Sequence, residues 1–255
     1  MMETHINVYK RLGETPLECL NRLRTEHREY ADVTLSYAGR LDPMAEGVLL
    51  VLAGKENKNR DQYLSLRKEY RVDILFGFAT DTYDMLGLVS ETVFSSRYPD
   101  VSVLSDEVRR FVGGHEQEYP PFSSKTVAGK TLFAWAKEGA LASIEIPHKN
   151  IEIYACDLIQ TRMMSKEALL NRVSYALAHV HGDFRQHEIK ERWESVLRDA
   201  KEEIFSVASM HVACSSGTYV RSLAHDLGKR VSTGAFALRI IRTKVGDADV
   251  QDSLR

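Results

Sequence analysis

The sequence predicts an α+β domain built on a mixed, mainly antiparallel sheet. Three observations lead there. Strand-like and helix-like segments follow one another without the regular βαβ alternation of a parallel sheet. Several strand-like segments alternate apolar and polar residues at period two, the pattern of a sheet with unlike faces. Neither G-x-G-x-x-G after a strand nor G-x-x-x-x-G-K-[ST] occurs, so doubly wound nucleotide-binding architectures have no anchor.

The elements follow in chain order. Thr15 and Pro16 open a helix over PLECLNRLRTEH, with Leu17, Leu20 and Leu23 at helical spacing. GVLLVLAG is too short and too apolar for a surface helix and predicts a buried strand between glycines. In EYRVDILFGFATDT, Tyr70, Val72, Ile74 and Phe76 share one face of a second strand. SDEVRRFVGG predicts a capped helix that ends at Gly113. PPFSSKTVAGK is a loop that becomes a helix at TLFAWAKEG, stopped by Gly139. IEIYACDLIQ and FSVASMHVACSSG alternate like strands. Between them Leu169, Val173, Ala176 and Val180 form one apolar stripe, and Ile189, Trp193 and Val196 a second, with HGDF as the break. That pattern predicts a helical hairpin inserted over 163–204. GTYVRSLAHDLGKRV begins extended and turns into a helix that ends near Gly234.

Composition sets bounds on function. The 255 residues suit a single domain, 1–255, and 44% hydrophobic content supports a real core. No apolar run approaches the ~20 residues that cross a bilayer, and the N-terminal segment has no apolar signal region. No membrane association is expected. Cys19, Cys156 and Cys214 form no CxxC pair, which fits reduced thiols in a cytoplasmic protein. A net charge of -2 excludes a globally basic nucleic-acid binder. Separate basic groupings in KNRDQYLSLRKEYR, SSKTVAGK and LRIIRTK can still converge on a groove for phosphates.

Asp42 is the leading candidate for a nucleophile or base. Pro43 disfavours the helical region for Asp42, and Gly39 and Gly47 give the loop freedom on either side. Alone, Leu-Asp-Pro also fits an ordinary turn. Tyr70 and Tyr219 stand beside basic residues, where an aromatic ring can stack on a flat ligand. Arg221 follows Tyr219 by two, which on an extended segment places both on one face. Asp81 and Asp84 fit an acidic turn better than a metal site, and His179, His181 and His187 have no acid or cysteine at ligand spacing. No metal is expected.

Taken together, the motifs resemble the TruB family of tRNA pseudouridine synthases. YAGRLDPMAEGVL is similar to the family's H-x-G-x-L-D-P-x-A-x-G-V-L, and KEYRV and GFATDTYDMLG to its K-x-Y-x-V and T-D-T-x-D-x-x-G. PPFSSKTVAGKTLFAWAKEG, CSSGTYVRSLAHDLG and GAFALRIIRTKVG follow in the family's order, and KRLG carries the lysine and glycine of its first motif. The resemblance implies the pseudouridine synthase fold and the isomerisation of the T-loop uridine, uridine 55, by base flipping and aspartate catalysis. It implies Asp42 as the catalytic nucleophile, Tyr70 as the tyrosine stacked on the target base, and Arg221 as the aspartate's partner. It implies substrate contacts at Tyr37, Tyr70, Tyr219, Ile240 and Lys10. It also implies no cofactor, a tRNA T-arm as partner and a monomeric enzyme.

The sequence departs from the pattern in several places, among them a slightly shorter P-P loop. Tyr37 stands where the family has a histidine, and Ile241 replaces the first arginine of L-R-R-T. No proline follows Lys10, and the helical hairpin lies outside the common pattern. The expected form is a short one without a C-terminal RNA-binding domain, so the catalytic domain, helped by the hairpin, is expected to carry the affinity for tRNA. GRLD also echoes the RsuA and RluA pseudouridine synthases, which lack the later motifs. Two rivals of other classes are a catalytically silent RNA-binding or RNA-folding protein and a hydrolase using Asp42 and Asp84 as an acid pair.

Overall fold

A computed structural model describes residues 4–94 and 99–255. Strand β1 (His5–Lys10) leads into helix α1 (Pro16–Glu26). Thr15 caps that helix reciprocally: its hydroxyl accepts from the Glu18 N–H, and the Glu18 carboxylate accepts from the Thr15 N–H. Strands β2 (Leu35–Ala38) and β3 (Ala45–Ala53) flank the loop that bears Asp42. Every residue of β3 is buried, as a continuous apolar run covered on both faces should be. Helix α2 (Arg60–Ser65) precedes β4 (Lys68–Phe76), β5 (Phe78–Thr80) and β6 (Val89–Thr92).

Helix α3 runs Val101–Arg109, one turn earlier than the sequence suggested. Its buried residues are Leu104 and Val108, an i, i+4 pair that needs the turn before Ser105. Gly113 (φ +114°) does not end the helix; it opens strand β7 (Gly113–Glu118). A two-residue ladder, β8 (Thr126–Val127) with β9 (Lys130–Thr131), then leads to α4 (Leu132–Lys137), whose cap is Thr131. The long strand β10 (His148–Ser165) passes into α5 (Lys166–His179) and α6 (Gln186–Asp199), and the chain returns along β11 (Ile204–Cys214). Helix α7 (Val220–Arg230), β12 (Ala235–Val245) and β13 (Ala248–Asp249) complete the order.

The main sheet runs β1-β3-β12-β4-β11-β10-β7, with β2 on β3 and β13 on β12. All its pairings are antiparallel except a short one, where Ile240, Ile241 and Arg242 of β12 run parallel to Ala45, Glu46 and Gly47 of β3. On one face α3 and α7 pack on Val72, Ile74, Met210 and Val212. A second core joins α5 and α6 to Leu75, Phe78, Phe205 and Phe236. Trp193 sits at its centre, with ring centroids 5.2 Å from Phe78 and 5.4 Å from Phe236. The helical hairpin therefore shares its core with the sheet. Among the described residues no helix is long and apolar enough to cross a membrane.

Candidate active site

The loop between β2 and β3 is held by backbone carbonyls facing buried cations. Lys10 is fully buried, and its ammonium donates to the carbonyl oxygens of Arg11, Glu14 and Pro43. Burial lowers its pKa to about 8. The Gly13 N–H donates to the same Pro43 oxygen at 2.9 Å. From the other side, the buried Arg242 guanidinium donates to Val48 O at 2.7 Å, Arg40 O at 3.2 Å and Gly39 O at 3.3 Å. These bonds fix the backbone on both sides of Asp42 and leave its side chain 42% exposed.

Arg221 meets that carboxylate. It lies in the first turn of α7, not on the extended segment expected from the sequence; Tyr219, the N-cap, is the last extended residue. The correction follows from α7 burying Val220, Leu223, Ala224 and Leu227, a stripe that only a helix can present to the sheet. Arg221 is 3% exposed in its side chain. Its Nη1 donates to Thr82 O at 2.6 Å and its Nη2 to Phe122 O at 2.7 Å. Its Nε lies 3.0 Å from Asp42 Oδ2, although that N–H does not align into a hydrogen bond. Two carbonyls thus orient the planar guanidinium and leave one edge to the carboxylate. Gln117 places the neighbouring tyrosine: its side-chain amide donates to Tyr219 O at 3.1 Å and accepts from Tyr219 N at 2.8 Å.

A cleft of ≈ 640 Å³ opens at this point. Asp42, Tyr70, Tyr219, Arg221 and Ile240 all line it. Tyr70 does not lie at a sheet edge: β4 is interior, and Tyr70 is paired with Val212 on one side and Arg242 on the other. Burial raises the pKa of both the Tyr70 and the Tyr219 hydroxyl, which keeps them protonated. Tyr37 and Lys10 stand outside the cleft lining. Tyr37 is on β2, against the apolar cluster of α1, β1 and β3, and Lys10 is caged by carbonyls behind the loop.

The cleft also holds Asp84, which the sequence singled out as an acidic-turn residue, and Lys68 and Arg185, to which it gave no role. Lys68 lines it; burial lowers its pKa to about 8, and its ammonium donates to Leu64 O and Leu66 O at 2.6 Å each. Asp84 is buried beside Arg221, and desolvation raises its pKa to about 6 against the opposing pull of that arginine. Its Oδ1 accepts from the Thr82 hydroxyl at 2.7 Å and from Leu86 N at 2.9 Å. Arg185, from the turn between α5 and α6, lines the mouth together with Phe122. Motif spacing pointed to neither Gln117 nor Arg185, because each acts through contacts remote in sequence.

The arrangement offers a carboxyl group beside a fixed guanidinium, two tyrosine rings and an apolar floor. Among the described residues no group of three or more His, Cys, Asp and Glu side chains is arranged to hold a metal ion. The three cysteines are buried, and desolvation pushes their thiols up to about 11 at Cys19, about 12 at Cys156 and about 11 at Cys214, which makes them poor nucleophiles.

Comparison with known proteins points the same way. Residues 28–175 match the TruB family pseudouridylate synthase (N terminal domain). The tRNA pseudouridine synthase B of Nostoc sp. is 30% identical over 253 residues, 99% of this chain and 71% of that protein. The protein of the same name from Caldanaerobacter subterraneus is 30% identical over 97% of this chain and 70% of its own length. In Aquifex aeolicus the corresponding values are 26%, 99% and 72%. The crystal structure of a Cbf5-Nop10-Gar1 complex aligns with a TM-score of 0.58 at 17% identity, over 96% of this chain and 49% of the matched one, and shares the fold.

Proposed function

Since the chain belongs to the TruB family of pseudouridylate synthases, we propose that it isomerises uridine in the T-loop of tRNA, at uridine 55, with Asp42 as the reacting carboxylate. The observation that carries this reading is the Asp42–Arg221 pair at the head of a cleft walled by Tyr70 and Tyr219.

In the reaction the bond from ribose C1′ to N1 breaks, the uracil turns, and a bond from C1′ to C5 forms. The C5 hydrogen leaves as a proton and N1 gains one, so the product is an isomer. No electrons enter or leave, and the residues need no cofactor. Asp42, as carboxylate, engages either C1′ or the uracil ring, and the balance is the same by either route. The target base must leave the stack to reach this depth, at a cost of a few kcal/mol. Stacking on Tyr70 returns ~1–3 kcal/mol of that. The Tyr70 hydroxyl, kept protonated by burial, adds no negative charge beside Asp42. Ile240, 2% exposed, supplies an apolar contact for the flipped base. The partner in this reading is the T-arm of tRNA, and the acting species is a monomer.

The test is incubation of an unmodified tRNA transcript with wild type and with Asp42→Asn. Pseudouridine at position 55 from wild type, and none from Asp42→Asn or from a transcript with cytidine there, is the expected outcome. Binding of the transcript by both proteins, with product from neither, would show a silent RNA-binding protein instead.

A further inference from the structure

We infer that Arg185, at the tip of the α5–α6 hairpin, is a positioning residue for Arg221 and through it for Asp42; this rests on the reaction proposed above. Arg221 is oriented by two carbonyls, those of Thr82 and Phe122, which come from segments some forty residues apart. Arg185 grips both segments. Its Nη1 lies 2.7 Å from Asp81 Oδ2 and its Nη2 3.2 Å from Asp81 Oδ1, a two-pronged pair next to Thr82. The same guanidinium lies over the Phe122 ring, 4.5 Å from its centroid. One side chain therefore sets the separation between the two carbonyls on which Arg221 rests.

The turn that carries Arg185 is itself held in place. Arg185 adopts the left-handed conformation (φ 60°, ψ 31°), which residues with a Cβ seldom occupy. Gln186 locks the turn from within: its side chain accepts from Phe184 N at 3.0 Å and donates to Val180 O at 3.1 Å and Gly182 O at 2.7 Å. From outside, Lys137 Nζ lies 3.2 Å from the Asp183 carboxylate. Asp81 has a further task, since its Oδ1 accepts from Leu88 N at 2.9 Å. With its guanidinium committed to Asp81 and Phe122, Arg185 is not a free cation awaiting a phosphate. Through Arg185 the hairpin thus contributes to turnover by holding the wall of the site.

Arg185→Ala, Arg185→Lys and wild type are compared in single-turnover pseudouridine formation at saturating tRNA transcript, in tRNA Kd, and in amide hydrogen exchange of segments 80–84 and 119–125. For Arg185→Ala we expect a rate about 10–100-fold lower, a Kd within about 2-fold of wild type, and faster exchange in both segments. Lysine keeps the charge without the fork or the flat face, so Arg185→Lys should recover the rate only in part. It also stands in for the alanine variant should that one fail to fold. A wild-type rate in both variants, or a loss confined to Kd, overturns the inference. If wild type itself makes no pseudouridine, the proposed reaction fails separately. Hydrogen exchange then still decides the clamp, and unchanged protection in both segments overturns it.

Discussion

Asp42 and Asp84 both lie in the field of the Arg221 guanidinium, yet their surroundings differ. Asp42 opens to the cleft. Asp84 is buried in the cleft wall, with Thr82 and Leu86 donating to it, and desolvation raises its pKa to about 6 from the ordinary 3.8. The native protein therefore holds the Asp84 proton across a window in which the unfolded chain has released it. The stability that Asp84 contributes is fully present below its unfolded value and is lost as pH rises through about 6. Comparing urea unfolding of wild type and Asp84→Asn from pH 4 to pH 7, we expect wild type to lose stability relative to the variant as pH rises, with the difference flat beyond the window. A difference that moves the other way would mean that Asp84 is ionised throughout. Arg242 makes a second claim at this scale. Arg242→Met leaves the carbonyls of Val48, Arg40 and Gly39 without their donor. A loss of about 3 kcal/mol is expected, together with a turnover rate that falls by more than tRNA affinity does. Unfolding curves and single-turnover rates check the two parts.

Among the elements, the α5–α6 hairpin is the one whose sequence pattern understated its role. Its two stripes, read from Leu169 to Val180 and from Ile189 to Val196, are buried, and they cover Phe205 and Phe236 of the main sheet and Phe78 of β5. Removing the hairpin would strip that core, so its role is better probed by single substitutions. Trp193→Ala should cost about 3–5 kcal/mol. The indole N–H is buried with no hydrogen-bond partner, so Trp193→Phe removes an unpaired donor along with some volume and should cost far less, about 1 kcal/mol. Equal losses for the two variants in thermal unfolding would refute this account. The hairpin also meets the turn between β1 and α1, whose Gly13 N–H donates to Pro43 O beside Asp42. A Cβ at Gly13 would fall 1.9 Å from the His179 carbonyl oxygen at the end of α5, so only glycine lets the two backbones approach this closely.

Across the whole molecule, what could be read in the sequence was what repeats at short range. β3 was visible as an apolar run, the hairpin as two stripes, α1 through Thr15, Pro16 and Glu18. The motif residues Asp42, Tyr70, Tyr219, Arg221 and Ile240, spread over most of the chain, do meet in one cleft. The wiring that holds them there was not legible. Gln117 reaches Tyr219 across 102 positions, Arg185 reaches Asp81 across 104, and Arg242 reaches Arg40 across 202. No local pattern announces such contacts, because each depends on where the sheet brings distant strands together. For the same reason Lys10 and Tyr37 carried family motif positions yet stand outside the cleft, and α7 begins where an extended segment was expected. The net charge of -2 likewise says nothing of Arg221, Arg242, Lys68 and Arg185, which gather at one cleft in a slightly acidic protein.

Strand β12 lies between β3 and β4, both of which precede it by well over a hundred residues. A ribosome making this chain must therefore translate well over a hundred residues beyond β4 before those two strands gain their shared neighbour. Until then β4 has an open, apolar edge, the kind of surface on which nascent chains associate. The same late strand delivers Ile240 to the cleft floor and Arg242 to the carbonyls beside Asp42. Synthesis thus imposes an order of events: Asp42 emerges early, but the carbonyls of Gly39 and Arg40 on one side of it gain their donor only when Arg242 has been translated. A chain cut short before β12 would be an aggregation hazard, not a weak enzyme.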